Sequence, residues 1–252
     1  MYLRLYSLAV LLCILLIGIL TFKRVKIADL LAYGGLVFVI GLLGSRVLSI
    51  LESTPASELS WDKIFNNRSG LTFYGGYIPL VILSIFFIQK FARDQREYLR
   101  IAALFEIIFH LGYSIGRLGC HLSADGCYGR VTFSGLGIRY TWGYKQTLFP
   151  VFPTPVYEMT LNLFLCIVYL FAFRNGKYRE IVLSSLFLFP LSRFLIEFIR
   201  TNRMLYWGLT LNQFISLGLV MLMPAIFLIS LKTIKNETGQ INNNFSMPTG
   251  LR

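Results

Sequence analysis

Acidic residues are scarce in this chain: Asp and Glu number 12 in 252 residues, against 24 Lys and Arg. Charged residues together make up 14% of the composition, well below the ~25% of a soluble domain, which excludes an ordinary hydrated surface. Four cysteines are too few for a disulfide framework. No strand-period alternation runs long enough for a membrane barrel, and no internal repeat is present. A cleavable leader is not expected, because the first apolar stretch is long, has no basic n-region and lacks a small-residue cleavage site.

What is abundant is apolar: 56% of residues are hydrophobic and the mean hydropathy is +0.64. A helix needs roughly 20 mostly apolar residues to cross a bilayer. Seven stretches meet that length, at about 5–22, 28–51, 71–92, 101–118, 156–173, 181–199 and 210–231. The expected fold is therefore an all-α polytopic membrane protein with seven transmembrane helices. It forms one membrane domain over 1–231, followed by a polar, Asn-rich tail over 232–252 expected to be disordered. The net charge of +12 does not point to nucleic acid, because the basic residues sit in connections between apolar stretches. Assigned alternately by side, the connections holding Lys23, Arg24, Lys26, Lys90, Arg93, Arg96, Arg100, Arg174, Lys177, Arg179, Lys232 and Lys235 outweigh those of the other side. The positive-inside rule then places the N-terminus outside and the C-terminus in the cytoplasm.

Charged groups inside a membrane cost ~2.5–3.5 kcal/mol each on insertion scales, so each needs a reason. In this topology every stretch carries polar residues at its outer end: Tyr6, Arg46, Tyr74 with Gly75 and Gly76, Arg117, Tyr157 with Glu158, Arg193 with Glu197 and Arg200, and Asn212 with Gln213. Any one of them reads equally well as an interhelical ion pair or an interfacial anchor; the ensemble does not. Arg193, Glu197 and Arg200 stand at i, i+4 and i+7, so one carboxylate is placed to bridge two guanidinium groups. Glu106, His110, Tyr113 and Arg117 form a stripe at spacings of 4, 3 and 4. Of these, Glu106 and His110 read as a helix–helix hydrogen-bonded pair. Several arginines at one leaflet imply an anionic partner, and Arg binds phosphate through two parallel hydrogen bonds. The residues thus point to a phospholipid handler among the membrane lipids.

Six segments resemble the bacterial prolipoprotein diacylglyceryl transferase family, in the family's order: LRLYSLAVLL (3–12), SGLTFYGGYI (69–78), SIGRLGCHLSADGCYG (114–129), FPTPVYE (152–158), SRFLIEFIR (192–200) and LNQFIS (211–216). The resemblance implies transfer of a diacylglyceryl group from phosphatidylglycerol to the lipobox cysteine thiol of a prelipoprotein signal peptide, releasing glycerol 1-phosphate, in the bacterial cytoplasmic (inner) membrane. It implies that Arg117 and Arg193 grip the phosphate and that Glu197 orients Arg193 or Arg200. Tyr6, Tyr157 and Glu158 would shape the lipid site, and Gly75, Gly76 and Gly129 would allow close backbone approach.

The chain departs from the family pattern in three places, one of them Phe189, which stands where a Tyr is common. Tyr74 stands where the family usually has His, and the run Cys120-His121-Leu122-Ser123-Ala124-Asp125-Gly126 replaces an Asn-containing one that is a residue shorter. His121 or Asp125 is then a candidate base for the acceptor thiol, with Tyr74 and Cys120 nearby. Cys120 and Cys127 are also placed to pair in an oxidising compartment. Cys120, His121, Asp125 and Cys127 are all metal-ligand types, but their spacing matches no structural zinc pattern, so no metal or cofactor is expected. Two other readings stand behind the transferase. One is a divergent paralogue serving another acceptor. The other is a lipid-binding or transport protein, disfavoured because the polar groups lie at one end rather than at the midplane.

Overall fold

The computed structural model describes residues 27–53, 72–202 and 204–245. The expected first span at 5–22, with Tyr6, and nearly all of the 52–70 connection lie outside the described residues. Six helices are present among them: α1 (Ile27–Ser53), α2 (Phe73–Phe91), α3 (Gln95–Ser123), α4 (Thr154–Arg174), α5 (Tyr178–Glu197) and α6 (Leu211–Phe245). A hairpin, β1 (Met204–Tyr206) and β2 (Leu209–Thr210), joins the last two. Five helices are long and apolar enough to cross a membrane: Leu31–Ile50, α2, α3, α4 and Leu211–Ile229. The chain is thus a polytopic helical membrane protein. Helix α5 falls outside that group because it carries Arg179, Glu180, Arg193 and Glu197, two of which, Arg193 and Glu197, are turned into the protein.

Local signals set the helix boundaries. Asp94 caps α3, accepting a hydrogen bond from the Glu97 amide at 2.7 Å, while Glu97 reaches back to the Arg93 amide at 2.9 Å. Thr210 and Gln213 form a reciprocal capping box on α6: the Gln213 amide donates to Thr210 Oγ1 at 3.3 Å and the Thr210 amide to Gln213 Oε1 at 2.9 Å. Pro155 occupies the first turn of α4, where its missing N–H is no loss. Helices α1 and α2 pack backbone to backbone, since a Cβ on Gly44 would overlap the Gly75 carbonyl and one on Gly75 would overlap Gly44 and Ser45.

The apolar core joins Tyr77, Tyr98, Ile107, Tyr169, Phe189 and Phe227, drawn from α2 through α6. A second, small core of Ala124, Tyr128, Tyr140 and Val151 organises the 124–153 connection, where Tyr128 and Tyr140 stack with centroids 4.0 Å apart. This connection carries only isolated bridges, Gly129 to Arg200, Val131 to Val151 and Ile138 to Val151. Deeper in the bundle, Glu106 and His110 are joined through Ser185, which donates to Glu106 at 2.5 Å and lies 2.9 Å from His110 Nε2; His110 Nδ1 meets Asn162 at 2.7 Å. The expected pair is therefore a four-residue network across three helices.

Candidate active site

The polar ends of the helices meet around one carboxylate. Glu158, in the second turn of α4, is 1% exposed. Its oxygens lie 2.6 Å from Arg117 Nε on α3, in direct contact with Arg193 Nη1 on α5, and 4.0 Å from Arg200 Nη1 beyond the end of α5. Three guanidiniums from different parts of the chain therefore converge on a single anion. Tyr113, one turn before Arg117, accepts from Arg117 Nε and Nη2 at 2.9 and 2.8 Å and from Arg193 Nη1 at 3.4 Å. Arg193 also lies over the rings of Phe73 and Tyr74, at 5.8 and 6.0 Å.

A second carboxylate steadies the rim. Glu197 accepts from Asn202 at 2.6 Å, Thr210 at 3.0 Å and Asn212 at 3.1 Å, and lies 3.8 Å from Arg200 Nε. The expected bridge of two arginines by Glu197 is corrected here: Glu158 is the bridging carboxylate, and Glu197 holds Arg200 alone. The physical reason is that Arg193 turns away from its own helix to Glu158 and Tyr113, leaving Glu197 to Arg200, which lies beyond the end of α5 and pairs by backbone with Gly129. Counted at their ordinary charges, three arginines and two carboxylates leave the cluster with one net positive charge. Arg193 Nε, buried, has no hydrogen-bond partner among the described residues. The arrangement has spare donors and suits one further anion.

Other expected residues fall in different places. Tyr74 is fully buried beside Arg193, but its hydroxyl lies 2.5 Å from Ser216 Oγ, and Ser216 donates onward to the Asn212 carbonyl at 2.7 Å. In this chain the Tyr74 proton points to Ser216. His121 does not join the arginine cluster; its Nδ1 lies 2.9 Å from the Tyr140 hydroxyl and its ring packs on Tyr140 and Trp142. Tyr157 turns its hydroxyl to the Leu136 carbonyl at 2.9 Å, towards the 124–153 connection rather than the arginines. Gly75 and Gly129 are sites of close approach, since a Cβ on Gly129 would overlap the Ile199 carbonyl and Phe152. At Gly76 a Cβ would come within 2.9 Å of Ser45 Oγ.

Cys120, on the last turns of α3, and Cys127 are free thiols. The Cys120 thiol beside it draws the Cys127 thiol below its ordinary value. A carboxylate oxygen of Asp125 and both sulfurs lie within 4.8 Å of one another. Tyr113, Thr210, Asn202 and Ser216 were not expected at the site. Only Tyr113 had a sequence signal, its place in the stripe that ends at Arg117. The groove of about 280 Å³ around Tyr33, Phe87 and Lys90 lies between the opposite ends of α1 and α2 and plays no part in the cluster.

Fold and cluster together define a multi-pass helical membrane protein with a buried, net basic site at one end of its bundle. A family model described as prolipoprotein diacylglyceryl transferase matches residues 1–229, and the chain belongs to that family. A Leptospira interrogans protein named phosphatidylglycerol--prolipoprotein diacylglyceryl transferase is 32% identical over 157 residues, 60% of this chain and 48% of that protein. The chain thus spans about half the length of this relative. A Clostridium perfringens protein named phosphatidylglycerol--prolipoprotein diacylglyceryl transferase 1 is 25% identical over 80% of this chain and 79% of its own length. An Aeromonas salmonicida protein bearing the transferase name is 29% identical over 81% of this chain and 71% of its own length.

Proposed function

We propose that this chain transfers the diacylglyceryl group of phosphatidylglycerol to the lipobox cysteine thiol of a prelipoprotein signal peptide, releasing glycerol 1-phosphate. It does so in the bacterial cytoplasmic (inner) membrane, as a single domain over 1–231 with seven spans, the N-terminus outside and the C-terminus cytoplasmic. The observation that carries the reading is the convergence of Arg117, Arg193 and Arg200 on Glu158, with donors left over.

The chemistry asks for charge stabilisation at a departing phosphate. The acceptor sulfur attacks the glyceryl carbon, a C–S bond forms, and the C–O bond breaks with its electron pair going to the phosphate oxygen. A monoanionic phosphodiester thereby becomes a dianionic monoester. Arg117 and Arg193 grip that phosphate, and donors placed in advance are worth most where charge develops. Glu158 holds the three guanidiniums against their mutual repulsion, Tyr113 shares its oxygen between two of them, and Glu197 fixes Arg200. Gly75, Gly76 and Gly129 let neighbouring backbones close around the lipid, and Tyr6 and Tyr157 help to shape its site.

Labelled phosphatidylglycerol and a lipobox peptide provide the test, comparing wild type with Arg117→Ala and Arg193→Ala. Loss of lipidation in both variants, ~100-fold or more for a removed charge-stabilising donor, supports the assignment. The paralogue reading is favoured by one observation, the engagement of Tyr74 with Ser216 where the family usually has His. A wild-type chain inert toward the peptide, under conditions where another family member works, would establish that reading instead.

A further inference from the structure

The transferase reading leaves one step without a group to perform it: the acceptor thiol has a reference pKa near 8.5 and must lose its proton. Of the two expected bases, His121 is held by Tyr140 and Asp125 is engaged by the Cys127 amide, while Tyr74, in the place of the family's His, is bonded to Ser216. Beside the arginines, however, stands a cluster that the transferase reading does not use. We infer that Cys120, Asp125 and Cys127 form a three-ligand zinc site whose open fourth position takes the thiol of the acceptor. This rests on the transferase reading for its role, though not for its existence.

The geometry supports a metal. Zinc binds thiolate sulfur at ~2.3 Å and carboxylate oxygen at ~2.0–2.2 Å, so tetrahedral ligands stand roughly 3.5–3.8 Å apart. The three ligand atoms already lie within 4.8 Å of one another, about an ångström from that shape. The set is two sulfurs and one oxygen, suited to a borderline-soft divalent ion. Asp125 is oriented by its own turn, Oδ1 accepting the Cys127 amide at 2.9 Å. Cys127 and Asp125 are partly exposed while Cys120 is buried, which gives the ion a route in from one side. His121, the fourth ligand type in this run, faces Tyr140 and is not part of the set. Among the described residues the set has three protein ligands and no fourth, the pattern of a site that binds a reactant rather than one that holds a fold.

Its location couples it to the phosphate site. Cys120 lies one helical turn beyond Arg117. Thr154 donates to the Cys127 carbonyl at 2.6 Å, and Glu158 follows Thr154 by one turn. Two residues past Cys127, Gly129 pairs with Arg200. A thiol bound at the metal therefore stands beside the arginines. Zinc with two thiolates and a carboxylate carries one net negative charge, which the net positive arginine cluster accommodates.

Coordination deprotonates a thiol outright. The acceptor's S–H bond breaks at the metal and its proton passes to water. The metal-held sulfur then forms the C–S bond as the C–O bond breaks, and the electron pair leaves on glycerol 1-phosphate. Nothing is oxidised or reduced.

The test uses the full chain purified in detergent under reducing conditions, loaded with cobalt(II) as a spectroscopic stand-in for zinc, without lipid. The expected result is one cobalt per chain with thiolate-to-cobalt charge-transfer bands, displaced by zinc and lost in Cys127→Ser. Asp125→Asn, which removes a charged ligand, weakens metal binding by ~10–100-fold or more. Adding a lipobox peptide raises the charge-transfer intensity by about half, as thiolates go from two to three, and its Cys→Ser counterpart does not. In the lipidation assay, chelation stops transfer and zinc restores it. Absence of the bands, or isolation of a metal-free Cys120–Cys127 disulfide, overturns the inference. So does full transfer by chelated protein, which leaves the transferase reading standing. Bands that respond to the peptide while no condition yields transfer would support the thiol-binding metal site and overturn the transferase reading.

Discussion

Neutralising Glu158 with Glu158→Gln is the sharpest perturbation of the cluster. Gln keeps the shape and one acceptor oxygen, so packing is nearly unchanged, but three guanidiniums lose their shared counter-charge. Breaking a buried ion pair by removing one partner costs ~3–5 kcal/mol. With an acceptor retained, the lower end applies, about 3 kcal/mol, or roughly 6–12 °C in melting temperature for a chain of this size. The direction of rescue is more telling than the loss. An anion that occupies the cluster supplies the missing charge, so glycerol phosphate should raise the melting temperature of Glu158→Gln by more than that of wild type. Binding at a hundredfold excess over Kd is worth ~2.7 kcal/mol, enough to recover most of the deficit. Differential scanning fluorimetry in detergent, with and without glycerol phosphate, measures both. Equal melting of the variant and wild type would refute Glu158 as the hub, and equal stabilisation of the two by the anion would refute the charge argument.

Three further substitutions probe the assignments around it. Tyr74→Phe removes a hydroxyl that donates to Ser216, so it should cost ~1 kcal/mol of stability and leave the rate of lipidation within about tenfold; a far larger fall in kcat at unchanged stability would make Tyr74 the base. His121→Ala should retain transfer within a few-fold, because the ring faces Tyr140 and Trp142; an inactive but folded variant would restore His121 to the mechanism. Gly75→Val places side-chain atoms where Gly44 and Ser45 already stand, and overpacking of ~1–3 kcal/mol or more should lower the melting temperature by several degrees. An unchanged melt would mean that α1 and α2 separate without penalty.

The sequence carried the gathering of polar groups at one end, because each charge in an apolar stretch is costly enough to be conspicuous. Arg117, Glu158 and Arg193 were conspicuous in this way, and they are the residues that meet. Which carboxylate bridges the arginines was not legible. An i, i+4, i+7 argument sees partners along one helix only, and Arg193 is drawn instead to Glu158 on α4 and Tyr113 on α3. His121 was misplaced for a related reason. Its orientation is set by Tyr140, nineteen residues away in a connection whose small aromatic core has no periodic pattern to read. Thr210 reaches Glu197 because the hairpin folds back, and Asn202 because the chain turns beyond the end of α5; neither geometry belongs to a pattern along one helix.

The proposed transfer needs a cluster that holds a phosphodiester without trapping it, and the charge of this one meets that need. Three guanidiniums alone would bind phosphate tightly in substrate and product alike, and uniform binding lowers KM without raising kcat. Glu158 and Glu197 cancel two of the three charges, leaving a net of one, which matches the substrate monoanion. As the C–O bond breaks, the phosphate gains a second charge. Arg193 Nε, buried and without a hydrogen-bond partner among the described residues, is a donor available to meet it. The site is thereby poised to bind the transition state better than the ground state, and the competing carboxylates favour release of the dianion afterwards. On this argument Glu158→Gln should slow product release even where it leaves chemistry intact. A burst of lipidation in the first turnover followed by a slower steady state would show it, and a linear course from the start would count against it.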